Sequence, residues 1–175
     1  MHTHIIYTLT GTDRIGIVEE VTQLLLNRGG NVEASCMVHL ASEFAILMLV
    51  SIPSEQLNGL ETDMQTLIAQ GYKVTTTQTK QTDLSAHRGW LPYQIEVQGA
   101  DHEGIIHEIA STLRQRGINI ESMNTQVVPA PVSGERLFNM KGLVIVPPSL
   151  TGQPWEAALL YAGNQLNVDI TVSAA

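Results

Sequence analysis

The chain has 175 residues, of which 43% are hydrophobic and 15% are charged, so it has enough apolar sequence for one compact domain or two small ones. Its net charge is -8 and its Lys and Arg residues are scattered, which argues against direct nucleic-acid binding. The sequence has no signal-peptide pattern, no apolar run long enough to cross a membrane, and a single cysteine, Cys36. We therefore expect a cytoplasmic protein in which Cys36 is a small residue in or near the core.

Strand and helix patterns alternate along the first half of the chain. Runs of β-branched and aromatic residues predict strands, and apolar residues at helical spacing predict helices. The predicted elements, in chain order, are a strand over 4–10, a helix from 15 to 28, strands over 31–41 and 44–52, a helix that begins near 53 and ends before 71, and a strand over 72–79. Their order is β-α-β-β-α-β.

The second half of the chain repeats the first at a shift of 88 residues. Without a gap, residues 5–37 and 93–125 share ten identities in 33 positions, where chance gives about two. The predicted elements of this second copy are a strand over 91–98, a helix from 103 to 116, strands over 118–128 and 137–146, a helix from 153 to 165, and a strand over 167–173. In its first helix we expect Ile105, Ile106, Ile109 and Leu113 to face inward.

The repeated element order predicts a tandem architecture. The order β-α-β-β-α-β is that of the ferredoxin-like unit, an α+β fold with a four-stranded antiparallel sheet and both helices on one face. We predict one module over residues 1–79 and another over 91–175. The polar, unpatterned segment 80–90 is the predicted linker.

The glycine-containing turn between the first strand and the first helix of each copy is the candidate binding site. The first N–H groups of a helix have no intrahelical partner, and they attract a carboxylate. Asp13 can either cap the helix or accept a ligand ammonium group. Asn31 begins the next strand, which we expect near the same end of the sheet, and its amide can donate and accept. Such a set suits a free amino acid, although helix caps and turn glycines alone would produce the same pattern.

The pattern D-x-x-G-I-[VI]…R-G-x-N-[VI]-E, present twice in this element order, resembles the ACT domain, a regulatory module that commonly binds amino acids. Two such modules without a third domain look like the glycine cleavage system transcriptional repressor family. This resemblance implies a non-catalytic regulator without a cofactor, which binds a small amino acid, with glycine or serine as first guesses. It also implies contact with a DNA-bound transcriptional activator as protein partner, no contact with DNA or a membrane, and assembly as a homo-oligomer.

The same resemblance places the ligand on the strand-to-helix turn and the start of the following strand. The implied ligand-binding residues are Gly11, Thr12, Asp13, Arg14, Ile15, Gly16 and Asn31 in the first copy and Gly99, Ala100, Asp101, His102, Glu103, Gly104 and Asn119 in the second. The two copies differ inside the turn, where Arg14-Ile15 stands against His102-Glu103. The two sites therefore need not bind the same ligand.

Two other interpretations, a zinc site and an enzyme, fit the residues less well. The segment HEGIIH differs from the zinc-binding HExxH pattern because its histidines, His102 and His107, are separated by roughly 140° on a helix. No nucleophile-base pair or pair of carboxylates stands out, so we expect neither a metal site nor an enzyme. The alternative to a ligand sensor is a protein-interaction module in which the turns are purely structural.

Overall fold

The structure, a computed structural model, describes residues 1–79, 87–131 and 134–175. It divides the chain into two compact units, Met1–Asp83 and Leu84–Ala175, which we call the first and second modules. Residues 80–86 of the predicted linker lie outside the described residues, and residues 87–89 form a turn.

The first module has the predicted order of strands and helices. Its elements are β1 His2–Thr12, α1 Ile17–Asn27, β2 Asn31–Leu40, β3 Glu43–Pro53, α2 Leu57–Ala69 and β4 Lys73–Thr79. The sheet has the order β2-β3-β1-β4, and all neighbouring strands are antiparallel. The second helix begins later than predicted because a 3-10 turn, Ser54–Gln56, precedes it.

Both helices of the first module cover one face of its sheet. Successive side chains of a strand point to opposite faces, and Ile5, Tyr7 and Leu9 of β1 are all buried. They form one core cluster with Val21 of α1 and Leu60 of α2. Each fully buried aliphatic side chain of this kind contributes roughly 1.5–3 kcal/mol to folding. The predicted fold class, with helices on a single face, is therefore confirmed for this module.

The second module repeats the topology of the first. Its elements are β5 Leu91–Ala100, α3 Ile105–Gln115, β6 Asn119–Pro129, β7 Arg136–Val146, α4 Glu156–Leu166 and β8 Val168–Ala174. The sheet order is β6-β7-β5-β8, again with antiparallel neighbours. Even a register irregularity recurs at equivalent positions, at Glu33 in β2 and at Glu121 in β6. The repeat found in the sequence is therefore a repeat of the whole fold.

Two residues predicted to be inward are exposed. Ile106 of α3 has an exposed fraction of 43%, while Ile105 beside it is buried. Helical residues one position apart point about 100° away from each other, so the buried stripe of α3 is narrower than the apolar pattern suggests. Cys36 is also exposed, because it lies on the edge strand β2, whose residues are all exposed. The prediction that Cys36 lies in or near the core is wrong.

Candidate functional site

In both modules a glycine in the left-handed conformation immediately precedes the first helix. Gly16 has φ 90° and immediately precedes α1, and Gly104 has φ 94° and immediately precedes α3. This backbone conformation is strained for any residue with a Cβ atom. Neither glycine has a side chain that could cap its helix. Of the two roles open to Asp13, the helix cap does not fit this geometry, because α1 begins at the residue after the glycine, which lies three positions beyond the aspartate. Asp101 stands at the same position before α3.

The two aspartates instead fasten the turn to the neighbouring hairpin. The N–H group of Asp13 donates to the carbonyl of Ser42 at 3.1 Å, and that of Asp101 donates to the carbonyl of Arg136 at 2.9 Å. The side-chain contacts differ between the modules. The Asp13 carboxylate lies 3.7 Å from Nε2 of His39. The Asp101 carboxylate accepts a hydrogen bond from Nε of Arg136 at 3.0 Å.

The first glycine of each turn is explained by packing. A Cβ atom added to Gly11 would lie 2.5 Å from Cδ1 of Tyr72, and one added to Gly99 would lie 2.7 Å from Cγ1 of Val168. The Tyr72 hydroxyl also donates to the carbonyl of Thr12 at 3.0 Å. Both glycines thus allow the last strand of the module to approach the end of the first.

Arg14 links the first turn to the end of α2. Its guanidinium donates to the carboxylate of Glu20 and, at 2.9 Å, to Oε1 of Gln70, which follows the last residue of α2. It also lies 5.7 Å from the centroid of the Tyr72 ring. The hydrogen bond from Arg14 lowers the pKa of Glu20. Gln70 closes the cluster by donating to Glu20 at 3.2 Å.

His102 makes the equivalent link in the second module with different chemistry. Its Nδ1 lies 2.9 Å from the carbonyl oxygen of Glu103, and its Nε2 lies 2.7 Å from the carbonyl oxygen of Leu166, the last residue of α4. Carbonyl oxygens only accept hydrogen bonds, so both contacts are satisfied together only when both ring nitrogens carry protons. These contacts, first with Glu103 and then with Leu166, raise the pKa of His102 above its ordinary value.

A pocket of about 570 Å³ adjoins the second turn. Its polar lining includes Asp101, His102 and His107. Its apolar lining comprises Ile105, Ile106, Val127 and Phe138, with Thr125 beside them. The volume lies within the range of about 300–1,000 Å³ that is typical of small-molecule sites. Three of the predicted site residues, Asp101, His102 and Gly104, therefore line one cavity.

Asn31 and Asn119 do not lie at the same end of the sheet as the turns. In the first module Gly11 pairs with Phe44 of β3 while Asn31 pairs with Ser51, seven residues further along that strand. At roughly 3.4 Å per residue the two levels are about 24 Å apart. Asn119 is displaced equally in the second module. The expectation was wrong because the first and second strands of each module run parallel, so the start of one is remote from the end of the other.

The remaining predicted residues occupy exposed positions of the turns. Ile15 is fully exposed at 102% of its reference area. Thr12 and Ala100 are the last residues of β1 and β5, and Glu103 follows His102 as an exposed residue. These side chains are available to a ligand.

Sequence reasoning missed the wall of the pocket that is formed by β6 and β7. Thr125 is the last residue of the aligned stretch 93–125 and Val127 lies two positions beyond it, opposite Met37 and His39 of the first copy, so the repeat could have placed both. Phe138 could not be found in this way. The loop between β6 and β7 is longer than that between β2 and β3, which ends the constant shift.

Two further observations limit the kinds of site present. Within residues 1–79, 87–131 and 134–175, no group of three or more His, Cys, Asp and Glu side chains is placed to hold a metal ion. Across the same ranges, every helix is too short or too polar to cross a membrane.

The first module matches a known family model. The ACT domain model matches residues 3–75, which extend from β1 into β4. The first module is therefore similar to the ACT domain. The second module has the same topology, so the chain carries two ACT-like modules in tandem. A search of curated proteins gave no match.

Two solved structures share this tandem fold over their full length. One is a protein of unknown function from Galdieria sulphuraria, with 28% identity and a TM-score of 0.86, and the match covers 100% of this chain and 99% of that chain. The other is described as a candidate glycine cleavage system transcriptional repressor, with 23% identity and a TM-score of 0.73 over 100% of this chain and 98% of that chain. At that identity the second likeness shows the fold alone.

Proposed function

We propose that this chain is a non-catalytic regulatory protein that binds a free amino acid at an ACT turn and controls a transcriptional regulator by protein–protein contact. The observation that carries the proposal is the uncapped helix start beside an aspartate, which both modules contain and which borders a pocket in the second. The ACT domain and a tandem neighbour described as a repressor support the regulatory class.

The turn offers complementary groups for both ends of an amino acid. The first N–H groups of α3 have no side-chain cap, and the positive end of the helix dipole favours a carboxylate there. The Asp101 carboxylate lines the same pocket and can accept hydrogen bonds from an ammonium group while it retains Arg136. A zwitterion fits this pair of partners better than an anion or a cation alone.

Ligand binding at the turn has a direct route to the second helix of the same module. His102 joins the turn to the last residue of α4, and Arg14 joins the first turn to the residue after α2. A ligand that displaces or strengthens these contacts shifts the module between two states, provided that its affinity differs between them. A partner that recognises the helix ends would then sense the ligand.

The proposed partner is a protein, for reasons of charge. A chain with a net charge of -8 and no basic stripe is repelled by phosphate backbones. The edge strands β2 and β6 carry exposed backbone and apolar side chains such as Met37 and Val127, which suit strand pairing with another protein or with a second copy of this chain. We include homo-oligomer formation and a cytoplasmic location in the proposal.

The competing function is a protein-interaction module without a ligand. It is favoured by the packing of Gly11 against Tyr72 and of Gly99 against Val168, which explains these glycines without any ligand. Under this alternative, partner binding would be independent of every amino acid.

A thermal-shift screen against the twenty amino acids separates the two functions. A ligand at 100 times its dissociation constant adds about 2.7 kcal/mol to the stability of the folded state, so a selective rise in melting temperature is expected. Asp101→Asn should abolish the rise because it removes the charge that faces the ammonium group. Asn119→Ala is the matched control in the same module, since it lies at the other end of the sheet.

Each result of the screen decides between specific alternatives. A selective rise that Asp101→Asn abolishes and Asn119→Ala retains supports a site confined to the turn. Loss of binding in Asn119→Ala, with an unchanged melting temperature without ligand, would contradict that site. No rise with any amino acid would favour the interaction module.

A further inference from the structure

The pocket beside the second turn has a mostly apolar interior and a polar rim. Ile105 and Phe138 have exposed fractions of 2% and 5%, and they belong to the core of the second module. Ile106 and Val127 line the same pocket but remain 43% and 39% exposed. A ligand that covered these two side chains would remove apolar surface from water, which is the usual source of affinity in small-molecule pockets.

We infer that the second module is the ligand-binding one and that its ligand is an amino acid with a branched or aromatic apolar side chain. This inference rests on the proposed function and names the ligand class of the same site. It replaces glycine and serine as first guesses, because neither has a side chain that would contact the apolar wall.

The geometry of the strands supports an apolar side chain directed toward β6. Val127, Phe138 and Gly99 lie side by side across β6, β7 and β5 in one row of the sheet. The polar groups Asp101 and His102 lie on the turn that follows β5. An amino acid whose backbone groups meet the turn therefore presents its side chain to this row.

The first module has different side chains at the equivalent positions. His39 pairs with Phe44, as Val127 pairs with Phe138, and Met37 stands where the second module has Thr125. The imidazole of His39 reaches to 3.7 Å from the carboxylate of Asp13. The first module therefore has longer side chains at the positions of Thr125 and Val127, and one of them approaches the aspartate. This difference assigns the ligand to the second module.

Isothermal titration of the full chain with a series of amino acids tests the ligand class. Each methylene that becomes buried increases affinity by about fourfold, which corresponds to about 0.8 kcal/mol. We expect L-leucine, L-valine or L-phenylalanine to bind at least about tenfold more tightly than L-alanine. Isocaproate, which is leucine without its amino group, should bind more weakly than leucine because it offers nothing to Asp101.

A pair of reciprocal double variants tests the assignment to the second module. The double variant Thr125→Met and Val127→His places the side chains of the first module in the pocket of the second. It should weaken binding of the best apolar amino acid at least about tenfold. All four exchanged positions are exposed, so folding should survive, and the melting temperature without ligand checks this. The matched control, Met37→Thr with His39→Val, makes the opposite exchange in the first module and should leave the affinity unchanged.

The outcomes distinguish failure of this inference from failure of the proposed function. Tight binding of glycine or serine that Asp101→Asn abolishes would overturn the apolar ligand class and leave the proposed function standing. Binding lost in the first-module variant but retained in the second-module variant would overturn the assignment. The absence of binding by any amino acid would overturn both.

Discussion

The two modules share a backbone and differ in the chemistry attached to it. In both, a hydrogen bond from an aspartate N–H holds the turn, and the next residue reaches the end of the second helix. Arg14 makes that contact within a cluster of polar and aromatic side chains, whereas His102 makes it between two carbonyl oxygens. The fold thus determines where the turn is fastened, while the residue at one position determines whether a guanidinium or an imidazole makes the contact.

The largest expected effect comes from adding a methyl group to the first glycine of each turn. Gly99→Ala should destabilise the protein by about 3 kcal/mol and Gly11→Ala by about 2 kcal/mol, the range for overpacked sites. The added atom at Gly99 would meet the backbone of Val168 and Asn167, at 2.9 Å and 3.0 Å, whereas its three nearest neighbours at Gly11 would all be ring atoms of Tyr72. Urea unfolding of the two variants measures both values, and equal costs would contradict the distinction between backbone and side-chain neighbours.

A smaller effect of opposite sign is expected at Tyr7. Its side chain is buried, and its hydroxyl has no hydrogen-bond partner within the part of the chain that the structure describes. Burial, and then the charge of Glu20, raise the pKa of this hydroxyl. The second module has Ile95 at the equivalent position, also buried. Tyr7→Phe should therefore stabilise the protein by about 1 kcal/mol in urea unfolding, because it removes an unpaired polar group. A loss of stability would show that the hydroxyl is satisfied in solution.

The smallest effect is a dependence of stability on pH that His102 at the second turn should produce. The pKa of His102 is raised in the folded state, so its contribution is fully present below the unfolded pKa of about 6.5 and is lost as the pH rises through the folded pKa. His102→Arg introduces the residue found in the first turn. It should remove the fall in melting temperature between the unfolded and the folded pKa of His102. Arg14→Gln is the control in the first module and should leave the slope unchanged. A slope that survives His102→Arg would assign the titration to another histidine.

The element order and the repeat could be predicted from the sequence because they depend on local patterns. The apolar spacing around Val21 and the alternation along Ile5, Tyr7 and Leu9 are sufficient to identify α1 and β1. The wall of the pocket could not be predicted, since Val127 and Phe138 come together only through the register of β6 and β7. The position of Asn31 was predicted wrongly for a related reason, because a strand pattern carries no direction until its partner is known.

The exposure of Cys36, the only cysteine of the sequence, provides a natural attachment point for a spectroscopic reporter. A maleimide dye would react at this one thiol, without mutagenesis, and would mark β2 of the first module. Titration of the labelled protein with an amino acid that binds the second module would then read out communication between the two halves of the chain. A fluorescence change abolished by Asp101→Asn would mean that the halves exchange information, and its absence would mean that ligand binding in the second module does not reach β2 of the first.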